Sequence, residues 1–328
     1  MCPPASTGGS PSQSGAGSQA DKPAPTEPAA ARLARAKLNY ALHVTGRRAD
    51  GYHMLQSLVA FAEFGDTLSA ATGGPGLSLA LEGPFASALS PQTPDGSAGD
   101  NLVLRAVHAL AENLGGGPPA LAFTLVKRLP VASGIGGGSA DAAAALHIAF
   151  AAMTGRPAEA GDMARLEKIA ERLGADVPMC LASKPALVSG TGTEVASLPR
   201  FPGHAVLLAN PGLPVATPDV FARLACRENP PLSPLGESDL ASFDALIAWL
   251  EGTRNDLEAP ALTVAPQIAE VLAALRSARG ARLARMSGSG ATCFALFAGI
   301  EEAEREARRL TARHPAWWVQ AAPVAAVG

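Results

Sequence analysis

Residues 130–146 read P-V-A-S-G-I-G-G-G-S-A-D-A-A-A-A-L, a run in which glycine occupies positions 134, 136, 137 and 138. Four glycines in five positions remove the Cβ atoms that would keep the backbone away from a ligand. Residues 121–126 predict a strand ahead of the glycines, and the alanines behind them predict a helix. A glycine-rich loop between a strand and a helix is typical of an anion site, most often for phosphate.

The predicted helix begins at a Ser139 N-cap and runs to about Thr154, where Gly155 is placed to end it. Its unpaired N–H groups and the positive end of its dipole point back at the glycines. Asp141 falls in the predicted first turn, where the dipole explains a carboxylate, so its predicted role is structural. A purely structural turn is the alternative interpretation of the glycines.

Two common nucleotide-binding motifs do not fit this loop. The dinucleotide pattern G-x-G-x-x-G places Ser139 at its third glycine when it starts at Gly134, and Asp141 when it starts at Gly136. The Walker pattern ends in Gly-Lys-Ser/Thr, and no lysine follows these glycines. Neither a Rossmann nor a Walker-type site is therefore predicted.

Composition narrows the classes of function. Of the 328 residues 48% are hydrophobic and 17% charged, and the formal charge of −3 comes without a dense basic cluster, so no nucleic-acid partner is expected. No apolar run reaches the roughly 18 residues of a membrane span, so no membrane partner is expected. The scattered cysteines predict idle or buried thiols in a reducing cytoplasm; they are Cys2, Cys180, Cys226 and Cys293.

Residues 1–31 are rich in Pro, Ser, Gly, Ala and Thr and predict a disordered tail without a signal-peptide hydrophobic region. Strands and helices then interleave without a βαβ rhythm, which favours an α+β chain with one domain over 32–200 and another over 201–328. Further predicted helices are 102–114, 162–173, 217–224, 239–250, 261–278 and 301–313; further predicted strands are 57–62, 66–71, 76–82, 185–189, 204–209, 293–297 and 317–321.

Alternation in A-R-A-K-L-N-Y-A-L-H-V (34–44) predicts a strand with Lys37 and Asn39 on one face. A solvated edge lysine is the ordinary interpretation of Lys37. Asp50-Gly51 predicts a turn directly before Tyr52 and His53. Asp176 lies at a break ahead of Pro178, and its ordinary role would be an N-cap.

The order of strand, Lys127-Arg128, proline, glycines, serine and alanine helix resembles the phosphate loop of the GHMP kinase superfamily, which includes galactokinase, homoserine kinase and mevalonate kinase. The resemblance covers about 34–322 and is nearest to the branch that phosphorylates a cytidine diphosphate ester in non-mevalonate isoprenoid synthesis. It implies a two-domain α+β fold with a cleft between the lobes, in a cytoplasmic monomer or weak homodimer. The other matching blocks are A-K-L-N with R-A-D-G-Y-H (36–53), D-N-L (100–102), L-G-A-D-V-P (173–178) and S-G-S-G-A-T-C-F (287–294).

By this resemblance Asp176 is the general base and Lys37 its catalytic partner. A hydroxyl that attacks the γ-phosphorus of ATP must lose its proton, and a carboxylate within hydrogen-bond reach can take it. A neighbouring ammonium keeps that carboxylate ionised and offsets charge on the transferring group.

The resemblance also implies ATP and Mg²⁺ as cofactors, with the Ser139 hydroxyl near the β-phosphate or the metal. Lys127 and Asn101 resemble positions on the adenosine side, and Asn39, Tyr52, His53 and Phe221 resemble the substrate pocket, where two aromatic faces clamp cytosine. The implied phosphate-binding residues are Pro130, Val131, Ala132, Ser133, Gly134, Ile135, Gly136, Gly137, Gly138, Ser139 and Ala140.

Two alternatives remain at the level of sequence. A GHMP kinase for mevalonate, homoserine or a sugar would share the glycine loop but not the Tyr52-His53 segment. A non-catalytic nucleotide-binding module would not need both Lys37 and Asp176.

Overall fold

The computed structural model describes residues 30–73, 75–89 and 101–328. Most of the predicted tail and residues 90–100 lie outside these ranges. The first strand starts at Ala30, so regular structure begins earlier than position 32, where the N-terminal domain was predicted to start.

Six strands of the described residues form a mixed sheet in the order β3-β4-β2-β5-β6, with β1 paired to β2. Only β3 and β4 run parallel within it. The long strand β2 pairs with β1 along one edge and with β4 and β5 along the other. The six strands are β1 (Ala30–Arg47), β2 (His53–Thr72), β3 (Ser78–Glu82), β4 (Leu121–Val126), β5 (Ala186–Ser189) and β6 (Glu194–Ser197).

The strand β2 corrects the prediction of two strands over 57–62 and 66–71. Gly65 lies between those runs without ending the strand, because it lets β1 approach closely. A Cβ atom at Gly65 would lie 1.9 Å from the carbonyl oxygen of Ala34. The short strand β6 was not predicted at all.

Four helices pack against this sheet around a common apolar core. They are α1 (Leu102–Asn113), α2 (Gly137–Thr154), α3 (Ala160–Leu173) and α4 (Val177–Ala182). The Asn101 side chain caps α1 by accepting a 2.9 Å hydrogen bond from the Val103 N–H.

The start of α2 differs from the predicted Ser139 N-cap. Gly136 occupies the N-cap with a φ of +66°, a left-handed conformation that favours glycine, and the helix begins at Gly137. Gly155 ends the helix with a φ of +74°, as predicted. The earlier start also places Asp141 beyond the first turn, so its explanation by the helix dipole is wrong.

The C-terminal part contains a four-stranded antiparallel sheet in the order β10-β7-β9-β8. Its strands are β7 (His204–Asn210), β8 (Leu283–Met286), β9 (Cys293–Phe297) and β10 (Trp318–Val324). The accompanying helices are α5 (Thr217–Ala222), α6 (Phe243–Glu251), α7 (Glu258–Val264), α8 (Gln267–Arg276) and α9 (Ile300–Arg313). None of the helices in the described ranges is long and apolar enough to cross a membrane.

Two predicted helices of this part were wrong in extent. Ala265 and Pro266 divide the predicted helix 261–278 into α7 and α8, because a proline disfavours the helical conformation of the preceding residue. The predicted helix 239–250 is a 3₁₀ turn over Glu237–Leu240 followed by α6, which Ser242 caps. The strand β8 was not predicted.

The two sheets share an apolar core. Leu38 and Tyr40 of β1 pack in one cluster with Leu208 of β7 and Phe294 of β9, all fully buried. The rings of Tyr40 and Phe294 stack with centroids 5.3 Å apart. Both faces of β1 are therefore buried, one against the second sheet and the other beneath the functional site.

Candidate active site

Lys37, in the middle of β1, meets Asp176, which directly precedes α4. The Lys37 Nζ atom lies 3.0 Å from Asp176 Oδ2 and donates a 3.0 Å hydrogen bond to Asn39 Oδ1. The side chain of Lys37 is only 6% exposed, so the interpretation as a solvated edge lysine is wrong, whereas that of Asp176 is 39% exposed. Asp176 occupies the N-cap position of α4, but its side chain makes no capping hydrogen bond. Its carboxylate is directed to the ammonium instead.

Asn39 is held in one orientation by a short chain of hydrogen bonds. Its Nδ2 donates to Ser57 Oγ at 2.8 Å, and Ser57 Oγ donates to the Ala41 carbonyl oxygen at 2.6 Å. This arrangement leaves Asn39 Oδ1 facing Lys37. Sequence analysis missed Ser57, because a serine inside a strand carries no local signal of its role.

The glycine loop is held in place by hydrogen bonds that other segments donate to the carbonyl oxygens of four successive loop residues, 132–135. The Lys37 N–H donates to Ile135 O at 2.9 Å, and the Ser287 hydroxyl donates to Gly134 O at 2.9 Å. The Thr292 N–H donates to Ser133 O, and the Val215 N–H donates to Ala132 O. These donors come from β1 and from two C-terminal segments. The conformation of the loop therefore depends on contacts with distant segments as well as on its own sequence.

Close approach explains the glycines. A Cβ atom at Gly136 would lie 3.2 Å from the Cβ and Cε atoms of Lys37, and one at Gly134 would lie 2.4 Å from the Ser287 carbonyl oxygen. The loop can therefore pass over Lys37 at Gly136, and against the turn between β8 and β9 at Gly134, only without side chains at these two positions.

A cleft of about 1250 Å³ joins these features. All predicted site residues line it except Ile135 and Ala140, whose side chains are buried in the apolar cores. Asn101 lies at the cleft, although its side-chain oxygen is used to cap α1. Residues that sequence analysis did not predict also line the cleft, among them Arg47, Asp50, Met179, Thr217, Arg227 and Ser289.

Aromatic rings also line this cleft. His53 and Phe221 stack on each other with centroids 4.8 Å apart and an interplanar angle of 27°, whereas Tyr52 is 67% exposed. His53 Nε2 is buried and has no hydrogen-bond partner among the described residues. Burial, with the nearby Arg47 and Arg227 charges, lowers the pKa of His53 and favours the neutral imidazole.

Lys127 lines the cleft, but its ammonium is bound by two carboxylates. Asp66 Oδ2 and Asp141 Oδ2 both contact the Nζ atom, and all three side chains are buried. Burial lowers the pKa of Lys127, but the charges of Asp141 and Asp66 outweigh it and the pKa is raised. Burial raises the pKa of Asp141 to about 7, opposed by Lys127. Sequence analysis missed Asp66, whose only local signal is a lone charge within a β-strand.

Within the described residues, no group of three or more His, Cys, Asp or Glu side chains is placed to hold a metal ion. Oxygen donors that line the cleft include the Ser139 hydroxyl and the Asp176 carboxylate, and no acidic cluster accompanies them within the described residues. Such a sparse donor set fits Mg²⁺, which usually takes one or two protein ligands and completes its shell with substrate phosphates and water.

Comparisons with known proteins agree with this geometry. The model of the GHMP kinases N terminal domain matches residues 101–184, and that of the GHMP kinases C terminal domain matches residues 232–316. The structure of a homoserine kinase from Cytophaga hutchinsonii, 19% identical, superposes with a TM-score of 0.59 over 89% of this chain and 94% of its own. The fold is that of the GHMP kinases, and both domains of that family are present in the chain.

More specific similarity comes from relatives named 4-diphosphocytidyl-2-C-methyl-D-erythritol kinase. That of Paracoccus denitrificans is 51% identical over 89% of this chain and 96% of its own length. That of Methylobacterium radiotolerans is 50% identical over 87% of this chain and 96% of its own length. A crystal structure of 4-(cytidine 5'-diphospho)-2C-methyl-D-erythritol kinase, 33% identical, covers 91% of this chain and 100% of its own with a TM-score of 0.68. The chain belongs to the 4-diphosphocytidyl-2-C-methyl-D-erythritol kinase family.

Proposed function

We propose that this protein transfers the γ-phosphoryl group of ATP to the 2-hydroxyl of 4-diphosphocytidyl-2-C-methyl-D-erythritol, giving the 2-phosphate and ADP. The reaction belongs to the non-mevalonate route to isoprenoid precursors. The observation that carries the proposal is the 3.0 Å pair of Lys37 and Asp176 directly beneath the glycine loop. Positioning and charge stabilisation are the main contributions that a protein makes to phosphoryl transfer.

Asp176 acts as the general base in this proposal. Its partly exposed carboxylate takes the proton of the 2-hydroxyl while the hydroxyl oxygen attacks the γ-phosphorus and ADP leaves. The buried Lys37 ammonium keeps the carboxylate ionised, and Asn39 holds that ammonium in place. The same ammonium offsets negative charge on the group in transfer.

The glycine loop and the start of α2 bind the phosphates of ATP through backbone N–H groups and the helix dipole. Other segments bind the carbonyl oxygens of residues 132–135. These oxygens, the negative ends of the peptide dipoles, therefore point away from the nucleotide and do not repel its phosphates. Ser139 and the phosphates would hold Mg²⁺, which supplies charge neutralisation when bound. Asn101 lies on the adenosine side.

The aromatic group that lines the cleft supports a pyrimidine substrate. The exposed ring of Tyr52 offers one face for cytosine, and the pair of Phe221 and His53 offers a second. Base stacking on an aromatic face contributes roughly 1–3 kcal/mol. The buried Nε2 of His53 is available to the edge of the base.

We also propose a cytoplasmic enzyme that is a monomer or weak homodimer and acts without nucleic-acid or membrane partners. The free thiols of Cys180, Cys226 and Cys293 suit a reducing compartment. Size-exclusion chromatography with light scattering would test the oligomeric state, and a stable tetramer would contradict it.

A substrate panel tests the function. Purified protein is supplied with Mg-ATP and, separately, the cytidine diphosphate ester, mevalonate, homoserine and galactose, and ADP release is measured. We expect ADP release only with the cytidine diphosphate ester. Release with mevalonate or homoserine, and none with the ester, would overturn the proposal.

A further inference from the structure

Asp66 binds the residues that immediately precede the glycine loop. Its Oδ1 atom accepts the N–H of Arg128 at 2.6 Å and that of Leu129 at 2.8 Å, and its Oδ2 atom accepts from Lys127 Nζ. The residue is 0% exposed and does not line the cleft within the described residues. Asp66 therefore holds the start of the loop from below without touching a bound nucleotide.

Lys127 links Asp66 to the other end of the loop. Its Nζ atom donates a 2.8 Å hydrogen bond to Asp141 Oδ2 on α2. A Cβ atom at Gly137, the first residue of α2, would lie 3.0 Å from the same Nζ atom. The ammonium thus packs beneath the point where the loop becomes the helix.

The arrangement is not one that stability alone explains. One buried ammonium is shared by two buried carboxylates, and Asp141 Oδ1 has no hydrogen-bond partner among the described residues. A buried ionic group of this kind contributes little to stability relative to apolar side chains of similar volume. An unsatisfied buried polar atom requires a reason, and functional sites supply one.

We propose that Asp66, Lys127 and Asp141 form a clamp that sets the distance and orientation between the two ends of the glycine loop. In this view Asp66 and Lys127 are positioning residues for the phosphates of ATP, and the Lys127 ammonium is not a direct ligand of the nucleotide. The inference rests on the proposed function, since that function assigns the loop to ATP. A flexible glycine loop needs such external contacts to present its N–H groups in one geometry.

The substitution Asp66→Asn tests the clamp, because the clamp and its alternative predict opposite changes in ADP affinity. It breaks the charged contact to Lys127 while keeping the volume, and it leaves one ammonium with one carboxylate, so the buried charges balance. The clamp predicts that Kd for ADP and KM for ATP rise by about tenfold while KM for the alcohol stays within about twofold. If Lys127 were a nucleotide ligand restrained by Asp66, release of its ammonium would tighten ADP binding, and that result would overturn the proposal.

A second variant, Asp141→Leu, breaks the contact at the other end and again leaves Lys127 with one carboxylate. We expect a similar loss of ADP affinity, and this variant decides the test if Asp66→Asn fails to fold. Glu63→Gln is the matched control, because Glu63 lies on the same strand and pairs with Arg35 away from the loop. ADP affinity within about twofold of the parent chain in every folded clamp variant would overturn the proposal.

Calorimetric titration with ADP separates this inference from the proposed function. Nucleotide affinity is measured without turnover, so it reports on the clamp whatever alcohol the enzyme accepts. A protein that binds ADP and weakens on Asp66→Asn, but phosphorylates a different alcohol in the panel, would retain the clamp and lose the substrate assignment.

Discussion

The Lys37–Asp176 pair is asymmetric in its exposure. The ammonium is buried and held by two partners, Asp176 Oδ2 and Asn39 Oδ1, each at 3.0 Å. The carboxylate faces the cleft with more than a third of its side chain exposed. A structural ion pair would have no need of an accessible carboxylate, whereas a general base must reach the proton that it removes.

For Asp176→Asn we expect turnover to fall by at least roughly 10²-fold, because the amide cannot accept the hydroxyl proton. ADP affinity should change little, since the glycine loop is untouched. Steady-state kinetics and calorimetry measure the two effects. Asp244→Asn is the control, because Asp244 is exposed and pairs with Arg282 on the surface. Unchanged turnover in Asp176→Asn would identify another base.

His204 provides a prediction about pH. Its ring is buried between Tyr40, whose hydroxyl lies 2.6 Å from Nε2, and the Pro202 carbonyl oxygen, 2.8 Å from Nδ1. Burial lowers the pKa of His204 from 6.5 to about 4. The folded-state pKa lies below the unfolded value, so the unfolded chain takes up the proton first as pH falls. Stability is therefore lost between pH 6.5 and about 4.

The measurement is urea unfolding of the parent chain and of His204→Gln. Between about pH 7 and about pH 5 the variant should lose about 2 kcal/mol less of its free energy of unfolding than the parent chain. The same loss in both proteins would show that His204 is not the group responsible.

At the scale of elements, the glycine loop takes its shape from segments that pack around it. The turn between β8 and β9 approaches so closely that Ser287 Oγ donates to Gly134 O and accepts from the Asn39 N–H. Asn255 in turn donates to the carbonyl oxygens of Met286 and Gly288. The loop, β1 and this C-terminal turn therefore form one hydrogen-bonded unit.

Gly134→Ala tests this unit. Gly134 has a φ of +77°, and an added Cβ would lie 2.4 Å from Ser287 O and 2.8 Å from Gly290 N, so the loop must shift. We expect KM for ATP to rise at least roughly tenfold and the free energy of unfolding to fall by about 1–3 kcal/mol. Gly161→Ala, in α3 with open space around its Cβ, should instead stabilise by about 0.5–1 kcal/mol with unchanged kinetics. Unchanged ATP kinetics in Gly134→Ala would contradict the close packing.

At the scale of the whole molecule, the two sheets do not form independent bodies. Ala36, Leu38 and Tyr40 of β1 lie in one apolar cluster with Val206, Phe294 and Leu296 of the second sheet. The predicted boundary between 200 and 201 falls between β6 and β7 and stays a prediction. A cut at that point would expose this cluster on both sides.

We therefore expect the complete chain to unfold in a single cooperative transition, and the fragments 30–200 and 201–328 to show none when expressed alone. The physical reason is that each fragment loses one wall of the shared core. Thermal melting followed by near-ultraviolet circular dichroism makes the comparison. A fragment with its own sharp transition would contradict the shared core and favour two autonomous domains.

Many secondary-structure elements and motifs of this chain could be predicted from the sequence, because they depend on local interactions. Alternation in β1, the helix that begins at Leu102, the glycine at the end of α2 and the glycine-rich loop each depend on residues close together in the chain. The motif blocks also predicted that Lys37 and Asp176 act together, and the two side chains lie 3.0 Å apart. The break before α8 was legible too, because Pro266 carries a local signal that a long helix prediction overlooked.

Only the tertiary structure decided which distant groups meet. The pairing of Asp66 with Lys127, the burial of Lys37 and the binding of the loop carbonyl oxygens by Val215, Ser287 and Thr292 depend on sheet register and on packing between the two sheets. A carboxylate in a strand or a serine in a turn has the same local propensities whether or not a partner lies opposite. Contacts between segments far apart in the chain are set by the global fold, so short-range patterns determine the elements and long-range packing determines the site.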